Sequence, residues 1–268
     1  MTVEDYEEAR KIGERSYREE IVAGNYPYLP ALSETLRRLD ELEKEELGLF
    51  EIPIELVSGT LTKGRQEAFA KNYMPLLPAD SEFAVKWINV LRHQTDEGIT
   101  DPVKAYEFMG RFYISEGNKR VSVLKYLGQP DVLADVTRIL PPSDTSEEAM
   151  IYAEFLEFFS RTNLYGIYFS RRGGYERLAE IYGVKPGGSW PEDDVMSLKS
   201  DFATFTRLFA KHTGRKSSMT CGDAFLLYAD VFGRESLQDD SDDDINRKLE
   251  QIFPSATISS ILRKIGLL

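Results

Sequence analysis

Five consecutive residues, Glu116-Gly117-Asn118-Lys119-Arg120, bring together a carboxylate, a glycine, an amide and two cations. An apolar helical pattern follows, with Val121, Leu124 and Leu127 on one face and Gly128 as its stop. A helix that starts at this point presents unpaired backbone N–H groups and a partial positive charge. Lys119 and Arg120 at the same place sharpen the preference for an anion, typically phosphate. Cations are unfavourable at a helix start without such an anion, so the pairing of residue type and position is itself the signal.

The elements that must position this junction are local. Val103–Phe108 and Arg111–Ser115 are β-rich runs separated by Met109-Gly110, the pattern of a hairpin with a tight turn. Upstream, Glu51–Val57 reads as a strand and Ser81–Gln94 as a helix ended by Gly98. The helix carries a stripe of Phe83, Ala84, Trp87, Ile88 and Leu91, read as core and not as a stacking platform. Downstream, Asp135–Leu140 reads as a further strand.

With those residues in order, the chain resembles the ParB N-terminal domain/sulfiredoxin superfamily, in which a strand ends in Gly-x-x-Arg and enters a helix, here Gly117-Asn118-Lys119-Arg120. The likeness covers residues 50–142: the strand at Glu51, a polar segment with Arg65 and Asn72, the helix at Ser81, Asp101-Pro102-Val103 leading into the hairpin, and the last strand. It implies a small mixed-sheet core and a nucleotide pocket whose ligand-binding residues are Gly117, Asn118, Lys119 and Arg120, with Arg65 from the polar segment as a further contact. Sulfiredoxins carry Gly-Cys-His-Arg at this place. Asn118 and Lys119 replace the Cys and His, so there is no thiolate for sulfinic acid repair. ParB proper carries Gly-Glu-Arg-Arg; Asn118 and Lys119 depart from it while Arg120 keeps the terminal arginine, which leaves the base identity open. Other relatives phosphorylate a free amino acid and have an acidic residue just before the glycine. Glu116 takes that place and becomes the catalytic candidate, as base for a hydroxyl or as a carboxylate near Mg²⁺.

Composition bounds these readings. The chain has 268 residues and a net charge of −12. Residues 50–142 are close to neutral, with 11 Lys and Arg against 12 Asp and Glu, so the acidity lies in the flanks. That disfavours an extended nucleic-acid track, which requires Lys and Arg to neutralise phosphates, and leaves room for a small anion in a local basic pocket. No metal site is expected, because the Glu41–Glu46 run reads as a solvated face. A nuclease centre of clustered carboxylates does not assemble from the sequence. One cysteine, Cys221, fits a reducing compartment and reads as a packing thiol. The charged N-terminal stretch has no apolar core region and no long apolar run exists, so a cytoplasmic, bacterial-type protein without membrane contact is expected.

The expected architecture is α+β in three parts. Residues 1–48 form a helical segment with helices at 2–24 and Ser33–Glu46. Residues 49–142 form the ParB/sulfiredoxin-like domain. After Pro141-Pro142, residues 143–268 form an all-α domain with helices at Ser146–Arg161, Tyr175–Tyr182, Glu192–Lys211, Gly222–Phe232, Ile245–Ile252 and Ser255–Ile265, and an acidic linker at Ser236–Asp244. Ala68–Tyr73 begins helical. Arg171-Arg172-Gly173-Gly174 is a basic turn within reach of a phosphate. The long helix opens Pro191-Glu192-Asp193-Asp194, the wrong charge for a recognition helix in a DNA groove. The function expected is binding of a nucleotide or other phosphate-bearing ligand, with a nucleoside triphosphate and Mg²⁺ as the cofactor class, and with hydrolysis or phosphotransfer left open. The alternative is a non-catalytic regulatory module that meets a protein partner through its acidic helices.

Overall fold

The structure is a computed structural model describing residues 2–36, 38–98, 101–141, 146–185, 187–210, 212 and 219–253, with Arg65 described in its backbone only. It is α+β and separates into two compact units, Met1–Asp144 and Thr145–Leu268.

The first unit holds helices α1 (Val3–Val22), α2 (Leu32–Thr35), α3 (Glu82–Asp96) and α4 (Asn118–Tyr126). Its strands are β1 (Lys44–Pro53), β2 (Val57–Thr60), β3 (Val103–Phe108), β4 (Arg111–Glu116) and β5 (Asp131–Ile139). The five strands make one mixed sheet in the order β1-β5-β3-β4-β2. β1 runs antiparallel to β5 and β3 antiparallel to β4, while the β3–β5 and β2–β4 pairs are parallel. The hairpin forms at the expected residues, with Phe108 opposite Arg111. Its antiparallel register slips by one at the far end: Lys104 faces Glu116, Ala105 faces Ile114, and Ser115 is the extra residue. That bulge releases the chain from the sheet directly before Gly117.

α1, α3 and α4 share an apolar core. Tyr6 and Ala9 of α1, Ala84, Trp87, Ile88 and Leu91 of α3, and Val123 of α4 are buried together. The Trp87 indole N–H donates to the Ser122 hydroxyl at 2.9 Å, so the buried ring keeps its polar partner. Gly13 lets α1 approach the chain closely, because a Cβ there would lie 2.5 Å from the Pro75 carbonyl oxygen. Ile12 and Ile21 of α1 are exposed.

The expected helix Ser33–Glu46 is replaced. α2 is a single turn, Arg38 takes a φ of +61°, and β1 begins at Lys44. Pairing along β5 decides this: Lys44 lies opposite Ile139, and the Leu140 N–H donates to the Glu43 carbonyl at 2.9 Å. A ten-residue ladder overrides a four-leucine stripe. Gly48 sits at a β1 register break with a φ of +81°. The strand therefore runs through residue 48, where the sequence placed the edge of a separate helical segment. Ala68–Tyr73 is likewise not helical. It is a 3-10 stretch ending at Ala68 followed by isolated bridges, Tyr28 to Ala70 and Phe69 to Pro75.

The second unit is helical: α5 (Glu147–Thr162), α6 (Gly174–Ile181), α7 (Glu192–Phe209), α8 (Cys221–Phe232), α9 (Ser236–Asp239) and α10 (Asp242–Ile252). Ser146 caps α5, and Thr220 caps α8. Phe155, Leu198, Phe205, Phe225, Tyr228 and Leu249 are fully buried. Cys221 is half-buried, with its sulfur 3.6 Å from the Thr206 hydroxyl. The expected acidic linker Ser236–Asp244 is instead α9 and the first turn of α10, which Ser241 caps. The expected helix Ser255–Ile265 and the Pro142–Ser143 boundary lie outside the described residues. Among the described residues no helix is long and apolar enough to cross a membrane.

Candidate functional site

The junction is built as a hinge without a cap. Gly117 stands at the N-cap of α4 with a φ of +104°, and no side chain caps the helix. Only glycine fits there. A Cβ would lie 2.7 Å from Val103 Cγ1, and the φ belongs to the left-handed region. The first-turn N–H groups of α4 therefore keep their capacity for an acceptor.

The four side chains of the junction divide in their roles. Arg120 turns back to the start of β3, where its Nη1 donates to the carbonyls of Asp101 at 2.7 Å and Pro102 at 2.8 Å. One nitrogen of its guanidinium is thus occupied in fastening α4 to the strand that enters the hairpin. Glu116 is 64% exposed, and its carboxylate lies 3.5 Å from Lys104 Nζ across the β3–β4 pair. Asn118 Nδ2 reaches the Thr60 hydroxyl at 3.5 Å, whereas its Oδ1 is buried without a hydrogen-bond partner. Lys119 swings the other way, with its Nζ 4.8 Å from the centre of the Phe83 ring.

Lys119 enters a cleft of about 490 Å³. Its other walls come from Tyr28 before α2, Gly64, Glu67 and Ala68 of the 3-10 stretch Lys63–Ala68, Leu77, and Glu82, Phe83 and Lys86 of α3. The aromatic walls are held from behind. Phe83 packs on Phe69 at 5.1 Å, and Tyr28 on Tyr17 at 5.2 Å. Lys86 pairs with Glu82. The cleft thus offers a cation, an aromatic face and balanced charge at its rim. Glu116 and Arg120 are not among its walls. The Arg65 side chain lies outside the described residues, while its neighbour Gly64 lines the cleft. Gln66, on the same stretch, is buried; its Nε2 donates to the Tyr26 hydroxyl, and its Oε1 has no partner.

Phe83 and Tyr28 were not legible as site residues. Phe83 shares the helical spacing of the core positions Ala84, Trp87 and Leu91, which are buried as expected. It lies at the margin of that stripe, next to Glu82, and an apolar residue bordering a charged one was the available signal.

The basic turn Arg171–Gly174 is already supplied with anions by its own unit. The Gly173 N–H donates to Glu154 Oε2 at 2.8 Å, and Arg172 pairs with Glu154 at 3.4 Å. The Ser170 N–H is shared by the two Asp223 oxygens at 3.1 and 3.2 Å. Those carboxylates occupy the position a phosphate would need. Among the described residues no group of three or more His, Cys, Asp or Glu side chains is placed to hold a metal ion.

No protein-family model matches the chain, and no curated protein matches it. Among solved structures, the C-terminally truncated chromosome-partitioning protein ParB from Caulobacter crescentus, complexed with CTP-gamma-S, is similar at 12% identity over 75% of this chain and 98% of that chain, with a TM-score of 0.24. At that TM-score the likeness carries no weight for fold or ligand.

Proposed function

We propose that the cleft beside the Gly117–Arg120 junction binds a small phosphate-bearing ligand, with a nucleotide as the best fit. One observation carries the reading. An uncapped α4 N-terminus adjoins a cleft that has an aromatic wall and a lysine at its edge. In this reading Lys119 and the first N–H groups of α4 meet the phosphates. Phe83 and Tyr28 offer stacking faces to the base, and Arg65 is kept as a candidate contact from the stretch that carries Gly64. Gly117 lets the backbone come close, and Asn118 holds the junction to β2 through Thr60. Arg120 acts at one remove, as the positioning residue that fastens α4 to β3. A divalent ion would be carried mainly by the ligand's own phosphates. Glu116 would need to leave Lys104 to serve a reaction, so the proposal is one of binding and assigns no turnover.

Calorimetric and thermal-shift titrations with CTP, ATP, GTP and ADP, with and without Mg²⁺, test this. A ligand at a hundred times its Kd stabilises the fold by about 2.7 kcal/mol. One nucleotide is expected to raise the melting temperature, and Lys119→Ala and Phe83→Ala are each expected to weaken that effect without unfolding the protein. If no nucleotide binds at millimolar concentration, the proposal falls and a regulatory module with a protein partner becomes the working reading.

A further inference from the structure

We infer that the helical unit has its own ligand site, a pocket for the head of a small alkylated ammonium ion. The pocket lies between α5, the start of α6 and the loop before α7, and encloses about 240 Å³. Three aromatic rings form one side. Phe158 stacks on Tyr175 with centroids 4.9 Å apart, and Trp190 stands against Phe158 at 5.7 Å with an interplanar angle of 87°. Two ring systems at right angles make a corner, and a cation seated in it meets aromatic electron density from two directions.

Carboxylates complete the wall. Glu154, Glu157 and Glu176 line the pocket, against Arg161 and Lys185. Glu157 is spent on Arg161 at 2.6 Å, and Glu154 on Gly173 and Arg172. Glu176, in the first turn of α6, makes no ion pair with any described residue. Lys185 is exposed. Glu176 is exposed as well, so the lining as a whole is close to balanced in charge, and the carboxylate that stands beside the aromatic corner is Glu176. Gly187 and Gly188 line the pocket without side chains. Gly188 cannot be enlarged easily, since a Cβ would lie 2.9 Å from the Lys185 carbonyl oxygen.

The shape of the corner selects among cations. A guanidinium is flat and stacks on one ring face, as Arg234 does on Tyr182 in this same unit, with Cζ 4.4 Å from the ring centre. A tetrahedral ammonium bearing methyl groups fills two perpendicular faces at once and needs no directed hydrogen bond. The enclosed space suits a small head group. The occupant assigned is thus a choline-like alkylammonium compound or a methylated amine.

The full chain is titrated with choline chloride by calorimetry and by Trp emission, with 3,3-dimethylbutan-1-ol as the neutral isostere and sodium chloride as the salt control. Saturable binding of choline, absent for the neutral isostere and about tenfold weaker in Glu176→Gln, is the expected result. Trp190→Ala is expected to abolish it. Glu176 is exposed, so Glu176→Gln leaves the fold intact, and far-UV circular dichroism with an unchanged melting temperature checks that. Three outcomes overturn the inference: equal binding of the neutral isostere, which would make the pocket merely apolar; binding of arginine but not choline; or no saturable response in the folded protein.

Discussion

Gly117 and Lys125 show how much of the junction rests on single residues. At Gly117 the backbone conformation and the space point the same way. Gly117→Ala forces a left-handed φ on a side chain whose Cβ meets Val103, and it is expected to destabilise the fold by roughly 1–3 kcal/mol, measured by urea unfolding. A loss under about 0.5 kcal/mol would mean that the junction relaxes freely. Lys125, seven residues into α4, is the reverse case of a charge that the fold holds uncomfortably. Its Nζ donates to the Val57 carbonyl at 3.0 Å and lies 4.9 Å from the Tyr73 ring centre. Burial lowers its pKa from 10.5 to about 8, with Glu55 opposing. Between those two values the unfolded chain holds the proton that the folded one has released. The unfolded state then binds more protons, and stability rises with pH across this window. Tyr6, whose pKa burial raises to about 12, acts in the opposite sense only above its ordinary value of 10.0. The Lys125 contribution is therefore read below that pH. Lys125→Met is expected to remove the rise, and an unchanged slope in the variant would place its origin elsewhere.

At the scale of elements, a buried ion pair ties the hairpin to the rest of the sheet. Glu107 in β3 is fully buried. One of its oxygens accepts the Gly110 N–H of the turn at 2.6 Å, and the other accepts from Arg138 of β5 at 2.7 Å. Glu45 of β1 meets the same guanidinium at 3.3 Å from a position 55% exposed. Removing the buried partner strands a charge, so Glu107→Ala is expected to cost about 3–5 kcal/mol. Glu45→Ala, screened by water, is expected to cost under about 1 kcal/mol. Similar losses in both variants would contradict the burial argument. The hairpin itself was legible because its signals are local, two β-rich runs and a glycine turn. The Glu107–Arg138 pair was not, since nothing in the sequence brings residues 31 positions apart into register. β1 was hidden for a different reason. It is an edge strand carrying Lys44, Glu45, Glu46 and Glu51, the charges that blunt an edge and erase its alternation. The α10 start was readable and missed: Ser241 followed by three aspartates is a cap with a first turn matched to the helix dipole.

The whole molecule joins two units, each with a cleft of its own. The first places a lysine and a helix N-terminus beside aromatic walls; the second places three carboxylates, an arginine and a lysine around an aromatic corner. The net charge of −12 gathers in the flanks, and in the basic turn Arg172 and the Gly173 N–H are met by Glu154 of the same unit. The sequence indicated where an anion would sit in the first unit, because a glycine-to-helix junction is a local motif. It gave no sign of the second pocket, whose rings come from α5, α6 and a loop and converge only on folding. Each unit has a separate core, around Trp87 in one and around Phe155, Phe205 and Phe225 in the other, and chains of this size bury enough surface to fold alone. Residues 1–144 produced by themselves are therefore expected to unfold cooperatively and to retain any nucleotide-induced rise in melting temperature. Residues 145–268 are expected to retain the choline response and show no nucleotide effect. A nucleotide response found only in the intact chain would mean that the cleft beside Lys119 draws on the helical unit, and the assignment of one ligand to each unit would have to be abandoned.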